Sequence, residues 1–117
     1  SVPEAARHIR VKGALAIDPA KVANLDRTLH EPARLSVMAC LAVIEEADFV
    51  FIQNQTGMTG GNLSTHIRKL EQADYVTIDK AFVGARPRTA LRMTTAGRAA
   101  FAAYVETMRE LFQTLAD

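Results

Sequence analysis

Apolar residues recur at helical spacing in two segments near the middle of the chain. Over residues 32–46 they fall at intervals of three, four and seven, which is typical of one face of a helix. These positions are Leu35, Met38, Ala39, Ala42 and Val43, with Leu41 and Ile44 widening the stripe. Residues 60–73 repeat the pattern with Leu63, Ile67 and Leu70 on one face. The pattern therefore predicts two amphipathic helices.

A short segment and a tight connection lie between these helices. Residues 49–55 carry Phe49, Val50 and Ile52, and we interpret them as a short helix because a turn and a second helix come directly after them. Gly57 can supply a positive φ for a turn, and Thr59 suits the N-cap of the helix over 60–73. The three segments together predict helix, turn, helix.

After residue 74 the apolar residues recur with a period of 2 residues instead of 3.6. Val76 and Ile78 alternate with polar residues over 75–80, and residues 89–93 alternate again. Residues 84–88 between them predict a basic loop, longer than a tight two-residue turn. A last helix should come after this hairpin, begin at Thr94 or Thr95, and run to about residue 116.

The first 24 residues are an N-terminal arm in this interpretation, and residues 25–117 form the domain. A short helix over 3–10 would begin at Pro3 and end before Gly13. A second helix, with Asp18 as N-cap and Pro19 in its first turn, would run to about residue 29. The arm is either a dimer contact or a tail.

Composition places the chain among ordinary globular domains. It has 117 residues, of which 49% are hydrophobic and 23% charged. Cys40 is the single cysteine, so no disulfide can form within the chain, and we expect a cytoplasmic location. No apolar run approaches the roughly 20 residues that span a bilayer, and the start does not resemble a secretory signal. We expect no membrane partner.

Charge is distributed unevenly although the net charge is only +1. Residues 51–92 contain six Lys or Arg and three acids, a balance of +3. Residues 25–50 contain two basic residues and five acids, a balance of −3. A local basic surface of this kind suits a phosphate backbone, although such imbalances also arise by chance.

The order of elements, with a basic hairpin after the third helix, is that of a winged helix-turn-helix. The predicted class is α+β, mostly α, with a two-stranded wing and a long C-terminal dimerisation helix. Five segments resemble the MarR and ArsR groups of regulators: 25–35 (LDRTLHEPARL), 60–71 (GGNLSTHIRKLE), 73–76 (ADYV), 86–89 (RPRT) and 91–98 (LRMTTAGR). Two features depart from that pattern: the Gly60-Gly61 pair, which softens the start of the helix, and residues 1–24.

The resemblance implies a sequence-specific regulator that binds double-stranded DNA. Helix 60–73 would enter the major groove, and wing 82–89 would touch the minor groove or the backbone. The candidate DNA contacts are Thr59, Gly61, Asn62, Ser64, Thr65, Arg68 and Lys69, with Lys80, Arg86 and Arg88 from the hairpin. His66, at the edge of the apolar stripe, is interpreted as a packing residue. The simpler alternative is a solvated helix face and an exposed loop.

The last helix is too apolar to remain uncovered. Its stripe consists of Phe101, Tyr104, Val105, Met108, Leu111, Phe112 and Leu115. We expect part of it to pack on the same helix of a second subunit, as a homodimer, with packing inside one subunit as the alternative. Two-fold symmetry would then place two recognition helices about 34 Å apart, or at a multiple of that spacing.

The sequence offers no catalytic or metal-binding pattern. The three histidines are scattered, and no nucleophile motif or phosphate-binding glycine loop occurs, so we expect neither an enzyme nor a cofactor. Two other functions stay open. One is a winged helix used only for protein–protein contact, and the other is a regulator tuned by a small hydrophobic effector in the dimer cleft.

Overall fold

The computed structural model describes residues 10, 13 and 17–116, and five helices and three strands lie within them. In chain order these are α1 (Pro19–Ala23), α2 (Pro32–Val43), β1 (Ala47–Asp48), α3 (Phe49–Thr56), α4 (Gly60–Gln72), β2 (Val76–Val83), β3 (Arg86–Met93) and α5 (Thr95–Ala116). The helix predicted over 3–10, and with it most of the proposed arm, falls outside the described residues.

Capping residues fix the helix starts, as the sequence predicted. Thr59 accepts a hydrogen bond from the backbone N–H of Asn62 at 3.2 Å and begins α4. Asp18 caps α1 by accepting from Ala20 at 2.9 Å, and Thr94 accepts from Gly97 at 2.9 Å at the start of α5. Gly57 comes directly after α3 with a φ of 72°. The predicted helix-turn-helix is therefore confirmed.

Helix α1 is shorter than expected, because it ends at Ala23 rather than near residue 29. The chain turns instead at Asp26, whose carboxylate accepts from the backbone N–H groups of Thr28 and Leu29 at 2.9 and 3.2 Å. Aspartate commonly bonds to backbone just ahead of it in this way, and the bond competes with a continuing helix.

The sheet has three strands in the order β1–β3–β2, all antiparallel. Strand β1 was not predicted, because two residues are too few to show a period. Ala47 pairs with Leu91, and Asp48 pairs with Ala90. The expected two-stranded wing is thus the outer part of a three-stranded sheet.

The loop of the hairpin is shorter than predicted. Strands β2 and β3 are joined by two residues, of which Gly84 has a φ of +65°. Glycine at the first loop position is typical of a tight hairpin turn. Arg86, Pro87 and Arg88 consequently lie in β3, not in a loop. Pro87 pairs with Phe82 one step beyond the Val83–Arg86 pair that closes the turn, where a two-residue hairpin needs no N–H donor.

The core lies between α2, α3, α4 and the base of the sheet. Helix α4 buries the predicted Leu63, Ile67 and Leu70. The stripe predicted for α2 is partly wrong, because the helix buries Val37, Met38 and Leu41, whereas Ala39 is exposed and Val43 is 85% exposed. Ala39 and Val43 are four residues apart and so share the side of α2 that faces away from the buried residues.

The start of α5 passes very close to the end of the α4–β2 connection. A Cβ atom on Gly97 would overlap the backbone of Tyr75, including its carbonyl oxygen. That carbonyl also accepts a hydrogen bond from the N–H of Thr94 at 3.0 Å. Glycine is therefore required at position 97 for close approach, and it fixes where the long helix leaves the sheet.

Candidate nucleic-acid interface

Helix α4 presents a polar face opposite its buried one. The exposed positions of this face are Gly61, Asn62, Thr65, Arg68, Lys69 and Gln72, preceded by the exposed Thr59. Ser64 is half-buried, at the border with the core. The structure thus places on one accessible helix face every α4 residue predicted from the sequence except Ser64, which lies at its edge.

Two hydroxyl groups on this face already have backbone partners. The Thr65 hydroxyl donates to the carbonyl of Gly61 at 3.0 Å, so its oxygen remains as an acceptor only. The Thr59 hydroxyl accepts from Asn62 N–H, so its proton remains free to donate. The side chains of Asn62 and Arg68 make no hydrogen bond with any residue that the structure describes. These two side chains have the full pairing capacity needed for base edges.

A cleft joins α4 to the hairpin. Ser64 and Arg68 line it from the helix, and Lys80 and Thr89 line it from the two strands. Lys80 and Thr89 are opposite each other in the register, so their side chains project from the same face of the sheet. Lys80 is therefore brought together with Arg68 from α4, beside the polar helix face.

The predicted wing arginines project elsewhere. Arg86 and Arg88 pair with Val83 and Ala81, at positions that alternate with those of Lys80. Alternation puts them on the opposite face of the hairpin. The structure therefore splits the hairpin cations into Lys80 on one face and the two arginines on the other.

The cations of this surface have no acidic partner in the described part of the chain. Among the described residues, no carboxylate lies within 4.0 Å of the side-chain nitrogens of Arg68, Lys69, Lys80, Arg86 or Arg88. Arg92, by contrast, forms an ion pair with Glu46 at 3.5 Å. A cation without a carboxylate partner can bind phosphate without breaking an existing pair.

A polar cluster behind α4 was not predicted. Arg34 donates from Nε to the carbonyl of Thr28 at 2.6 Å, and its Nη1 lies 3.1 Å from Nδ1 of His66. Glu31 Oε2 lies 3.6 Å from the same ring nitrogen. The side chains of Arg34 and His66 are only 11% and 16% exposed. His66 is therefore a half-buried packing residue, as expected, but it also ties α4 to the start of α2.

The environment of Glu31 favours its charged form. Partial burial raises the pKa of this carboxyl, but hydrogen bonds from the backbone of Arg34 and Ala33, the charge of His66 when protonated and the charge of Arg34 outweigh that effect. The net result is a pKa below the usual value. His66 is 32 positions from Arg34, so no local pattern in the sequence predicts their contact.

The apolar face of α5 is divided between the subunit core and an open groove. Tyr104 is buried and its hydroxyl lies 2.9 Å from Nδ1 of His30. The apolar side chains along the groove are Leu35, Phe101, Tyr104, Val105, Met108, Phe112 and Ala116. Phe112 is 60% exposed, and Leu115 is 71% exposed but does not line the groove. Leu111 is half-buried and also lies outside it.

On another side of α5, the first helix packs within the same subunit. Lys21 of α1 forms an ion pair with Glu110 at 3.5 Å. The described end of the proposed arm therefore contacts its own α5 rather than extending away. The α5 stripe thus packs inside the subunit at Tyr104 and leaves the groove uncovered.

Possible metal ligands are not clustered among the residues described. No group of three or more His, Cys, Asp or Glu side chains among them is arranged to hold a metal ion. Cys40 is half-buried. None of the helices in this part of the chain has both the length and the apolar character needed to cross a bilayer.

Comparison with known proteins decides the family. A family profile described as a winged helix DNA-binding domain matches residues 33–112, which include α2 through most of α5. The chain belongs to this winged helix family. An uncharacterised protein of Methanocaldococcus jannaschii is 29% identical to this winged helix chain over 89 residues, which cover 76% of this chain and 97% of that protein.

Solved structures agree with this assignment. A transcriptional regulator homologue from Pyrococcus horikoshii OT3 is 28% identical, with a TM-score of 0.77, and the match covers 82% of this chain and 97% of that one. A MarR-family regulator from Enterococcus faecalis V583 shares the fold at 21% identity, with a TM-score of 0.68 and coverage of 88% and 93%. The predicted likeness to MarR and ArsR regulators is confirmed at the level of fold, and the winged helix is a DNA-binding domain of the kind found in transcriptional regulators.

Proposed function

We propose that the chain is a sequence-specific transcription regulator that acts by binding duplex DNA as a homodimer, without catalysis. Helix α4 lies in the major groove in this proposal, and Asn62, Thr65 and Arg68 read base edges. Asparagine pairs well with adenine and arginine with guanine, and each good pair contributes roughly 1–3 kcal/mol of discrimination. Thr59, Ser64 and Lys69 contact phosphates beside them.

One observation carries the proposal. The exposed polar face of α4 and the cleft-lining Lys80 form one surface whose cations lack carboxylate partners among the described residues. A face that was merely solvated would gain from nearby acids, and the chain has 13 of them. Glu71 and Asp79 are exposed nearby, yet neither forms an ion pair with Arg68, Lys69 or Lys80. Cations left without a carboxylate partner favour a polyanionic ligand and disfavour the alternative of a pure protein-docking module.

The groove on α5 supports the dimer. It is apolar, it is open, and Phe112 at its edge is 60% exposed. A second copy that laid its own α5 against this groove would remove these side chains from water, and two-fold symmetry would present two α4 helices to one face of DNA. A small apolar effector would occupy the same groove and compete with the second copy.

The test is fluorescence anisotropy with a random-sequence duplex from about 50 to 200 mM salt, where phosphate contacts dominate the slope. Molecular mass in solution is measured alongside. We expect a dimer whose affinity falls steeply with salt, and we then expect selection from a random pool to yield a pseudo-palindromic site. Absence of binding at the lowest salt would overturn the proposal.

A further inference from the structure

The tip of the β2–β3 hairpin carries apolar side chains that the subunit core does not use. Phe82 is 74% exposed, and Val83 is 61% exposed. Phe82 lies opposite Pro87 in the strand register, and Pro87 is exposed as well. Side chains directly opposite each other share a face of the sheet, so Phe82 and Pro87 form one apolar pair.

This pair lies on the face of the hairpin that is turned toward α4. Along β2, Ile78, Lys80 and Phe82 alternate with residues of the other face. Ile78 and Lys80 line the cleft shared with α4. Phe82 therefore continues the face of the hairpin that looks toward the proposed DNA surface, whereas Arg86 and Arg88 lie on the opposite face.

The tip also extends beyond the subunit core by a distance comparable to the width of a DNA groove. Leu91 is buried opposite Ile78, and Phe82 lies four residues further along β2, about 13 Å at the usual strand rise. The major groove of B-DNA is about 12 Å wide. If α4 occupies the major groove, a tip at this distance from the core is available to the minor groove beside it.

The size and surroundings of the patch favour DNA over a protein partner. A stable protein interface covers about 800 Å² on each side, whereas this tip offers two large apolar side chains at the end of a narrow hairpin. Asp79 is the only acidic residue between positions 76 and 93, against four basic ones. Lys80, Arg86 and Arg88 flank the apolar pair without carboxylate partners among the described residues.

We propose that Phe82, supported by Pro87, makes an apolar contact inside the minor groove beside the major groove that α4 reads. Phenylalanine and proline are among the side chains that other minor-groove proteins insert against sugars and base steps. Arg86 and Arg88, on the other face of the hairpin, contact the phosphates of the groove wall. This inference rests on the proposed function and adds a contact residue to it.

The test compares the full chain with Phe82→Ser and Phe82→Leu on one duplex across about 50 to 200 mM salt. An apolar contact releases no counterions. We therefore expect Phe82→Ser to weaken binding by roughly tenfold or more, given the apolar area of the ring, with an unchanged salt slope. Phe82→Leu should retain most of the affinity, and circular dichroism should show equal folding for all three.

A second experiment tests whether Phe82 contacts the minor groove. Replacing guanine by inosine removes the N2 amino group from the minor groove and leaves the major-groove acceptors in place. Wild type should gain more affinity from this replacement than Phe82→Ser does. Equal gains for both proteins would overturn the minor-groove placement.

The remaining outcomes separate the two proposals. If wild type binds DNA and Phe82→Ser binds equally well, the Phe82 inference is overturned and the proposed function stands. A lower salt slope in Phe82→Ser would also overturn it, because the substitution would then act through the neighbouring cations. If wild type itself does not bind, the proposed function fails.

Discussion

Nη1 of Arg34 lies 3.1 Å from Nδ1 of His66, joining residues 32 positions apart in sequence. Arginine only donates hydrogen bonds, so Nδ1 of His66 is the acceptor in this contact. The contact fixes the rotation of α4 against the start of α2, and it lies on the side of α4 that does not face the hairpin cleft.

Arg34→Ala should therefore weaken DNA binding without removing a phosphate contact. The substitution leaves the carbonyl of Thr28 and Nδ1 of His66 without a donor. We expect unfolding free energy to fall by about 1–3 kcal/mol, the usual cost of unpaired buried polar groups. Urea denaturation measures the stability, and anisotropy measures a lower affinity with an unchanged salt slope. Arg27→Ala, which removes an exposed arginine, is the matched control and should leave stability within about 0.5 kcal/mol.

Replacing the wing arginines should change the salt slope, whereas Arg34→Ala should not. Arg86→Ala with Arg88→Ala should lower affinity on all duplexes and reduce the salt slope, because two phosphate contacts are lost. The double variant Arg27→Ala with Arg98→Ala removes the same charge outside α4 and the hairpin. Equal slopes for the two double variants would exclude the wing from the interface.

The hydrogen bond of the Tyr75 hydroxyl predicts that the protein loses stability at alkaline pH. Its hydroxyl donates to the carboxylate of Asp26, and this bond, with burial and the Asp26 charge, raises the pKa of Tyr75 from 10.0 to about 12. The folded state thus holds the proton more tightly, and its contribution is complete below pH 10 and is lost as pH rises toward 12. Thermal melts of Tyr75→Phe should lack this component. Tyr104→Phe keeps Tyr75 and should decline with pH as wild type does.

Alanine substitutions at Gly97 and Gly61 should change the stability of the protein in opposite directions. Gly97→Ala places a methyl group on the backbone of Tyr75, which cannot move aside, so we expect a loss of about 1–3 kcal/mol or more. Gly61→Ala points into open space on α4 and should stabilise the helix by roughly 0.5–1 kcal/mol. Chemical denaturation distinguishes the two, and a gain of stability in Gly97→Ala would contradict the close approach.

Phe112→Glu tests the α5 groove as a dimer contact. Phe112 is largely exposed, so the subunit should still fold, but a carboxylate in an apolar interface is strongly unfavourable. Sedimentation should show a monomer that binds DNA more weakly than wild type. Ala99→Glu adds the same charge to an exposed position of α5 outside the groove and should remain a dimer.

Much of the fold can be predicted from local signals. The cap at Thr59, the positive φ at Gly57 and the apolar stripe of α4 are all encoded within a few neighbouring residues. The sequence overestimates the length of the hairpin loop because proline, here Pro87, is typical of loops. Only the register shows that Pro87 occupies a position where no N–H is needed. The Arg34–His66 contact and the pairing of β1 depend on residues far apart in sequence, so no periodicity predicts them.

The hydrogen bond of the Asp48 carboxylate also affects which DNA sites the protein should bind. Asp48 pairs with Ala90 of β3 and at the same time accepts from Phe51 N–H at 2.7 Å to begin α3. One residue thereby joins the first helix of the helix-turn-helix to the strand that carries the wing, with no linker between them. On our proposal, the distance between the DNA contacts of the helix-turn-helix and those of the wing is therefore fixed. A site whose grooves are spaced differently must then be fitted by bending the duplex, so tolerance to spacing should depend on the stiffness of the DNA sequence between the contacts.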